Sequence, residues 1–214
     1  MEAKKIITSK KEIVFLYIIF LVGIVGHIYT PLQNLMIALT PSTLLLTGII
    51  VLYFSNKTSV NNFLLWVLIT YLITFVLEVI GVKTGYIFGE YSYGLALGIK
   101  LYEVPLIIGF NWVLVILGSI SFSKLITSNT IISSIISAII SFIFDLILEP
   151  IAIKLDYWNW AGVVIPTQNY IAWFLISFLA ALAFNFLKIN ITSKISMHYL
   201  LVQYLFFMAL LLFY

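Results

Sequence analysis

Long apolar runs with few charged residues constrain this chain more than any other feature of its sequence. Of the 214 residues, 63% are hydrophobic and 9% are charged. A helix that crosses a bilayer needs ~20 consecutive, mostly apolar residues. Seven stretches approach that length: 13–30, 35–54, 63–82, 101–123, 130–153, 170–187 and 197–214. The sequence therefore predicts an all-α, polytopic membrane helical bundle with about seven transmembrane helices, and residues 1–214 are expected to form a single integral membrane domain.

The basic residues predict how this bundle is oriented. All 11 Lys/Arg positions are lysine, and with seven spans only Lys83, Lys100 and Lys154 fall on the side opposite the N-terminus. Loops on the cytoplasmic side of a membrane carry the excess of positive charge. We therefore expect a multi-pass protein of the cell membrane with a cytoplasmic N-terminus. The first apolar run is too long for a signal peptide and lacks a cleavage site of small residues, so it is expected to remain as the first helix.

Composition also excludes several classes of function. The lack of arginine argues against a dedicated phosphate or carboxylate site, and scattered lysines give no support for nucleic-acid binding. The chain has no cysteine, and therefore no disulfide or thiolate chemistry. Phosphate-loop, Gly-x-Ser-x-Gly and dinucleotide fingerprints do not occur. His27 and His198 are expected at opposite membrane faces, so they cannot form one zinc site.

Several of the eight acidic residues lie within or against the apolar runs. Placing a carboxylate in hydrocarbon costs on the order of 2.5–3.5 kcal/mol, and such residues persist mostly where they face a partner, a cavity or a substrate. The predicted topology brings five of them to one leaflet: Glu78, Glu103, Asp145, Glu149 and Asp156. Two of these also fit simpler roles, Glu103 as a helix N-terminal residue and Asp156 as a solvated one. This leaflet is where we expect the functional site.

Asp145 and Glu149 are the most informative pair. Four residues apart, they share one helix face and lie ~6 Å apart along the axis. Pro150 is expected to bend or end the helix just after Glu149. Two close carboxyl groups in a low-dielectric site do not both ionise readily, so one is expected to keep a proton at neutral pH and act as a donor. The alternative is that Asp145 bonds a polar neighbour and only holds helices together.

Aromatic and amide side chains surround the expected position of these acids. The connections 83–100 and 154–169 are rich in glycine and aromatic residues, a composition that is also typical of an aromatic belt at the membrane surface. Aromatic faces stabilise a cation by ~0.5–2 kcal/mol per contact, and amides can hold water or orient a carboxylate. Asn169 also fits a helix N-cap, and Asn111 an interhelical bond. The predicted substrate-binding residues are Tyr91, Tyr93, Trp112, Asn111, Trp158, Trp160, Asn169 and Trp173.

The motifs in their order resemble a known family. They are Glu78-x-x-Gly81-x-x-x-Gly85-Tyr86-x-Phe88-Gly89, Val104-Pro105, Asp145-x-x-x-Glu149-Pro150, Tyr157-Trp158-x-Trp160 and Pro166-x-x-Asn169-x-x-x-Trp173. Over roughly residues 75–175, this order is similar to that of the carotenoid-biosynthesis membrane proteins that include bisanhydrobacterioruberin hydratase and gamma-carotene 1'-hydroxylase. The chain departs from that pattern at Glu103 and Ala172, where glycine is expected, and in a Gly162–Pro166 spacing that is one residue longer.

The resemblance implies a hydro-lyase of carotenoid biosynthesis. Such an enzyme adds water across the terminal isoprene double bond of a carotenoid ψ-end and produces a tertiary alcohol. Asp145 or Glu149 is expected to donate the proton while its partner holds water, and Glu78 is expected to orient the network. The departures from the pattern leave the end group open.

The expected partners are a hydrophobic carotenoid or polyprenyl substrate, the lipid bilayer and other carotenoid-pathway enzymes. Hydration is redox-neutral, so no organic cofactor is expected, and no metal is assigned although clustered carboxylates attract divalent ions. The first alternative is a carotenoid or polyprenyl cyclase or isomerase that uses the same acid. The second is a proton-coupled transporter or a lipid-binding protein, although no internal repeat of the transporter kind is evident.

Overall fold

A computed structural model describes residues 10–55, 57–162 and 164–213. It contains seven helices that are long and apolar enough to cross a membrane. These are α1 (Lys10–Ile28), α2 (Thr30–Phe54), α3 (Val60–Thr84), α4 (Leu106–Ser123), α5 (Thr130–Lys154), α6 (Thr167–Phe186) and α7 (Ile195–Phe213). The predicted all-α, multi-pass membrane bundle is confirmed, and most helix ends lie within a few residues of their predicted positions.

Helix α4 occupies the centre of the bundle. Of its 18 residues, 13 are buried, and it packs against α2, α3, α5, α6 and α7. Close approach to α7 depends on Gly118, because a Cβ atom there would lie 2.6 Å from Cβ of Leu200. Small residues at such contacts let membrane helices pack closely where no hydrophobic effect drives them together. The other helices therefore surround a tightly held central element.

Two sequence-based expectations about helices change at proline residues. The fourth span was predicted from residue 101, but α4 begins after Pro105, because a residue that precedes proline disfavours the α conformation. Helix α5 was expected to bend or end at Pro150, yet it continues to Lys154. The prediction that it could end there is wrong, since a membrane helix tolerates the loss of one backbone donor.

The two longer connections contain four short strands that the sequence did not predict. They are β1 (Tyr91–Tyr93), β2 (Lys100–Leu101), β3 (Val104–Pro105) and β4 (Trp158–Trp160). Strands β2 and β3 form a hairpin just before α4. Strand β1 pairs antiparallel with β4, although one follows α3 and the other follows α5. The pairing therefore joins two connections that are distant in the sequence.

The register of β1 and β4 places four aromatic side chains on one face. Tyr91 lies opposite Trp160, and Tyr93 lies opposite Trp158. Because successive side chains of a strand point to opposite faces, these four share one face, which we call the aromatic cap. Beside it, a Cβ atom at Gly94 would lie 2.0 Å from the carbonyl oxygen of Asp156, so only glycine allows this close approach.

Candidate active site

A cavity of about 280 Å³ lies between the helices and the aromatic cap. All seven helices contribute to its lining, which is largely apolar. A drug-sized ligand occupies a pocket of ~300–1,000 Å³, so the cavity suits a small group or one end of a longer molecule. Six of its lining residues carry polar groups that matter for the chemistry below: His27, Glu78, Asn111, Glu149, Asn169 and Gln203.

Glu78 accepts three hydrogen bonds, all from aromatic side chains. Its Oε1 accepts from Nε1 of Trp112 at 2.8 Å, and its Oε2 accepts from the hydroxyl groups of Tyr91 and of Tyr93, the latter at 2.7 Å. Burial and the nearby charge of Glu78 raise the pKa of both tyrosines, which therefore stay protonated and donate. Three donors around one carboxyl group are the partners that an ionised carboxylate, which accepts and cannot donate, requires.

Glu149 is bonded in a similar way by the other strand of the aromatic cap. Its Oε2 accepts from Nε1 of Trp158 at 3.0 Å and from Nε1 of Trp160 at 2.9 Å. Its Oε1 accepts from Nδ2 of Asn169 at 3.2 Å, and the same amide nitrogen donates to Oδ2 of Asp145 at 2.8 Å. One amide group thus joins the two carboxyl groups that were predicted as a pair.

The structure bears on the simpler alternatives for two side chains of this network. The N-cap of α6 is Pro166, so the N-cap interpretation of Asn169 is wrong, and its side chain instead reaches across to α5. Asp145 is buried but does not line the cavity. Its Oδ2 makes the kind of interhelical bond that the structural alternative expects, whereas its Oδ1 has no hydrogen-bond partner within the described part of the chain.

The aromatic cap joins the two carboxylate sites to each other. Tyr91 and Trp160 lie with ring centroids 5.1 Å apart, and Tyr93 and Trp158 lie 6.0 Å apart. In each pair the tyrosine donates to Glu78 and the tryptophan to Glu149. The strand register therefore fixes the positions of both carboxyl groups together.

The structure brings most of the predicted site residues to one cavity. Glu78, Glu149 and all eight predicted substrate-binding residues line it, and Trp112 stacks on Trp173 with a centroid distance of 3.7 Å. Two of the five acids expected at this leaflet are not part of the cluster. Glu103 is exposed in the turn between β2 and β3, and Asp156 is exposed and accepts from Asn159. Both lie in connections and not in helices. The solvated role expected for Asp156 is confirmed, and the helix N-terminal role considered for Glu103 is wrong because α4 begins only at Leu106.

Sequence reasoning missed two buried polar residues that line the cavity, His27 and Gln203. His27 had been considered only as a zinc ligand, together with His198. The acids were identified because burying a polar group in an apolar helix is costly. The same reasoning applies to His27 and Gln203 and would have identified both. No group of three or more His, Asp or Glu side chains in the described ranges is placed to hold a metal ion.

Comparison with known proteins identifies a family for this chain. The profile of a family described as carotenoid biosynthesis protein matches residues 39–214. A bisanhydrobacterioruberin hydratase from Haloarcula japonica is 30% identical over 126 residues, which cover 51% of this chain and 40% of the hydratase. The chain thus spans less than half the length of that relative, and no solved structure matches it significantly. Because the family profile covers most of the chain, with all three clustered carboxyl groups and the aromatic cap, the chain belongs to the carotenoid biosynthesis protein family.

Proposed function

We propose that this protein is a hydratase that adds water across the terminal isoprene double bond of a carotenoid ψ-end. The observation that carries the proposal is the pair of buried carboxyl groups, Asp145 and Glu149, which one Asn169 amide joins beneath the aromatic cap. An acid, a cation-stabilising wall and an apolar cavity are the parts that acid-catalysed hydration requires. The family supports carotenoid metabolism, and the hydratase relative supports this reaction type.

Proton transfer begins at the carboxyl pair. Asp145 and Glu149 share one proton, because two adjacent carboxylates in an apolar site repel each other. Glu149 lines the cavity and therefore delivers this proton to the substrate. The π electrons of the double bond form the new C–H bond at the less substituted carbon, and the neighbouring carbon becomes a tertiary cation.

The walls of the cavity stabilise this cation in two ways. The rings of the aromatic cap and the stacked pair Trp112–Trp173 present aromatic faces, which attract cations. The carboxylate of Glu78, held in place by three donors, supplies a fixed negative charge in a site of low dielectric constant. Water then adds to the cation, the resulting oxonium loses a proton, and the carboxyl pair is restored.

Two residues that line the cavity and are also exposed on the outside of the bundle indicate where a substrate enters. Val22 of α1 and Leu39 of α2 both have large exposed fractions, although both form part of the cavity lining. The cavity therefore opens toward the bilayer between α1 and α2. A whole carotenoid does not fit in about 280 Å³. The end group enters through this opening, and the polyene chain stays in the lipid.

Pigment analysis in a lycopene-producing bacterial host tests the proposal. The wild-type protein is expected to yield a carotenoid heavier by one water molecule. Removal of a general acid typically costs ~10²–10⁴-fold, so Asp145→Asn and Glu149→Gln are each expected to lower this yield at least ~100-fold. Glu90→Gln is the matched control, because it makes the same acid-to-amide change at an exposed position.

Two results would contradict the proposal. Wild-type yield in both Asp145→Asn and Glu149→Gln would remove the carboxyl pair from the mechanism. A new pigment of unchanged mass would show that the cation loses a proton and does not capture water. The protein would then be a cyclase or an isomerase that uses the same acid.

A further inference from the structure

His27 is a cavity-lining residue with an unused hydrogen-bond acceptor. Its Nδ1 lies 2.7 Å from the carbonyl oxygen of Gly23. A carbonyl oxygen only accepts, so Nδ1 carries the hydrogen and Nε2 of the neutral ring is a bare acceptor. This Nε2 is buried and has no partner among the residues that the structure describes. A small donor that enters the cavity beside this ring would supply the missing hydrogen bond.

Two more lining residues have a polar atom in the same condition. Nε2 of Gln203 is a buried donor and Oδ1 of Asn111 is a buried acceptor, and neither has a partner in the described ranges. A buried polar group without a hydrogen-bond partner destabilises the folded protein. Polar positions with enough room in a protein interior are commonly filled by water that makes two to four hydrogen bonds. The three side chains come from α1, α7 and α4, none of which carries the proposed acid.

The carboxyl groups are less suited to hold this water. Glu78 and Glu149 are the acids that line the cavity, and each of their four oxygens already accepts at least one hydrogen bond from a protein side chain. His27 has a free acceptor and no neighbouring donor to fill it in the described structure. The acceptor atoms of the lining residues that have no partner at all in the described structure therefore belong to His27 and Asn111 and not to these acids.

We propose that His27, assisted by Gln203 and Asn111, holds the water molecule that adds to the substrate. This inference rests on the proposed function. It assigns protonation of the double bond to the carboxyl pair on α5 and the binding of the attacking water mainly to His27 on α1. A lone pair of the water forms the C–O bond with the tertiary cation. The extra proton of the oxonium passes to Nε2 of His27 and then replaces the proton that the carboxyl pair gave up. The reaction is the sum of alkene and water, with no change in oxidation state.

The test separates protonation of the substrate from capture of water. Purified protein in lipid nanodiscs is incubated with lycopene in D₂O, and the pigments are examined by mass spectrometry. Deuterium in unhydrated carotenoid reports reversible protonation, and the alcohol reports addition of water. His27→Phe keeps an aromatic ring without nitrogen, and His27→Gln keeps a polar group. The control is His198→Phe, which makes the same change at the histidine that contacts Tyr17 at the α1–α7 interface.

The expected result is a specific loss of alcohol. His27→Phe should lower the ratio of alcohol to deuterated alkene at least tenfold while deuterium incorporation continues, His27→Gln should lower it less, and His198→Phe should leave it unchanged. An unchanged ratio in His27→Phe would overturn the inference and leave the hydratase proposal intact. Loss of both signals in His27→Phe and His27→Gln would also overturn it, because His27 would then be required before water is captured. If the wild-type protein forms no alcohol, the proposed function itself fails.

Discussion

Helix α5 carries polar side chains along both of its halves, and the two halves use them differently. In the first half, Ser133 and Ser137 each lie 2.9 Å from the hydroxyl group of Ser123, and Ser141 lies 3.0 Å from that of Ser119. These bonds connect α5 to α4. In the second half, Asp145 and Glu149 face a shared amide, and Glu149 lines the cavity.

The difference lies in how much hydrogen-bonding capacity remains after the protein has folded. The serine hydroxyl groups are paired with each other or with backbone carbonyls of their own helix. By contrast, Oδ1 of Asp145 and three atoms on residues that line the cavity have no partner in the described structure. A polar residue in a membrane helix therefore indicates helix packing when its neighbours use all of its hydrogen-bonding groups. It indicates a functional site when a hydrogen-bonding group next to a cavity remains unpaired.

The contrast between the carboxyl cluster and the serine contacts predicts its largest effect on alcohol yield at Glu78. In Glu78→Gln, the amide keeps the size of the side chain but removes the negative charge and turns an NH₂ group toward donors. Loss of preorganised electrostatic stabilisation typically costs ~10²–10³-fold in rate, so the alcohol yield should fall at least ~100-fold. The measurement is pigment mass spectrometry in the lycopene-producing host, normalised to the amount of protein in the membrane.

Ser119→Ala is the matched control for that variant. It also removes a buried polar side chain from a helix, but one whose hydroxyl group bonds the backbone of Val115 in its own helix and Ser141 of α5. Its alcohol yield should stay within twofold of wild type, roughly the effect of 0.4 kcal/mol. Equal losses in both variants would break the contrast between the two regions, because a paired serine would then matter as much as the carboxylate.

A smaller effect is expected where the cavity opens toward lipid. Val22→Trp and Val25→Trp change the same residue type on α1 at positions that are 56% and 58% exposed, but only Val22 lines the cavity. Partial obstruction by Val22→Trp should cost about 1 kcal/mol of substrate binding, roughly fivefold in yield at low substrate concentration, and Val25→Trp should cost nothing measurable. Equal yields for both variants would place the substrate entrance elsewhere.

The helices and the acids could be predicted from the sequence because both depend on local energetics. Apolar runs of about bilayer length must form helices in lipid, and a carboxylate within such a run must be compensated. These two rules located α1–α7 and singled out Glu78, Asp145 and Glu149. These rules do not show where a helix ends and a connection begins. Glu103 was therefore placed in the fourth span and grouped with the acids of the helices.

The strands and the polar wall could not be predicted in the same way. Strands β1 and β4 are three residues each, and they pair only because the surrounding helices bring two distant connections together. The same pairing decides that Trp158 and Trp160 bond Glu149 and not Glu78. His27 was missed for a different reason. A single histidine in an apolar helix has no motif. Only the geometry shows that His27 lines a cavity and that its Nε2 is buried without a partner in the described residues.

The smallest expected effect is in the serine-rich half of α5. Ser137→Ala removes the bonds from this hydroxyl group to Ser123 and to the backbone of Ser133. Side-chain hydrogen bonds between membrane helices are worth about 0.6 kcal/mol on average. For a chain of this length that corresponds to a thermal midpoint lower by roughly 1–2 °C. The midpoint is measured by size-exclusion chromatography of the heated, detergent-solubilised protein.

Activity decides whether this serine contact is only structural. Ser137→Ala should keep the wild-type alcohol yield, and Ser42→Ala, which removes an exposed serine of α2, should change neither the midpoint nor the yield. If Ser137→Ala instead lowered the yield tenfold at an unchanged midpoint, a fully paired hydroxyl group would be part of the reaction. The presence of unpaired hydrogen-bonding groups would then no longer distinguish the residues of the site from residues that only pack the helices together.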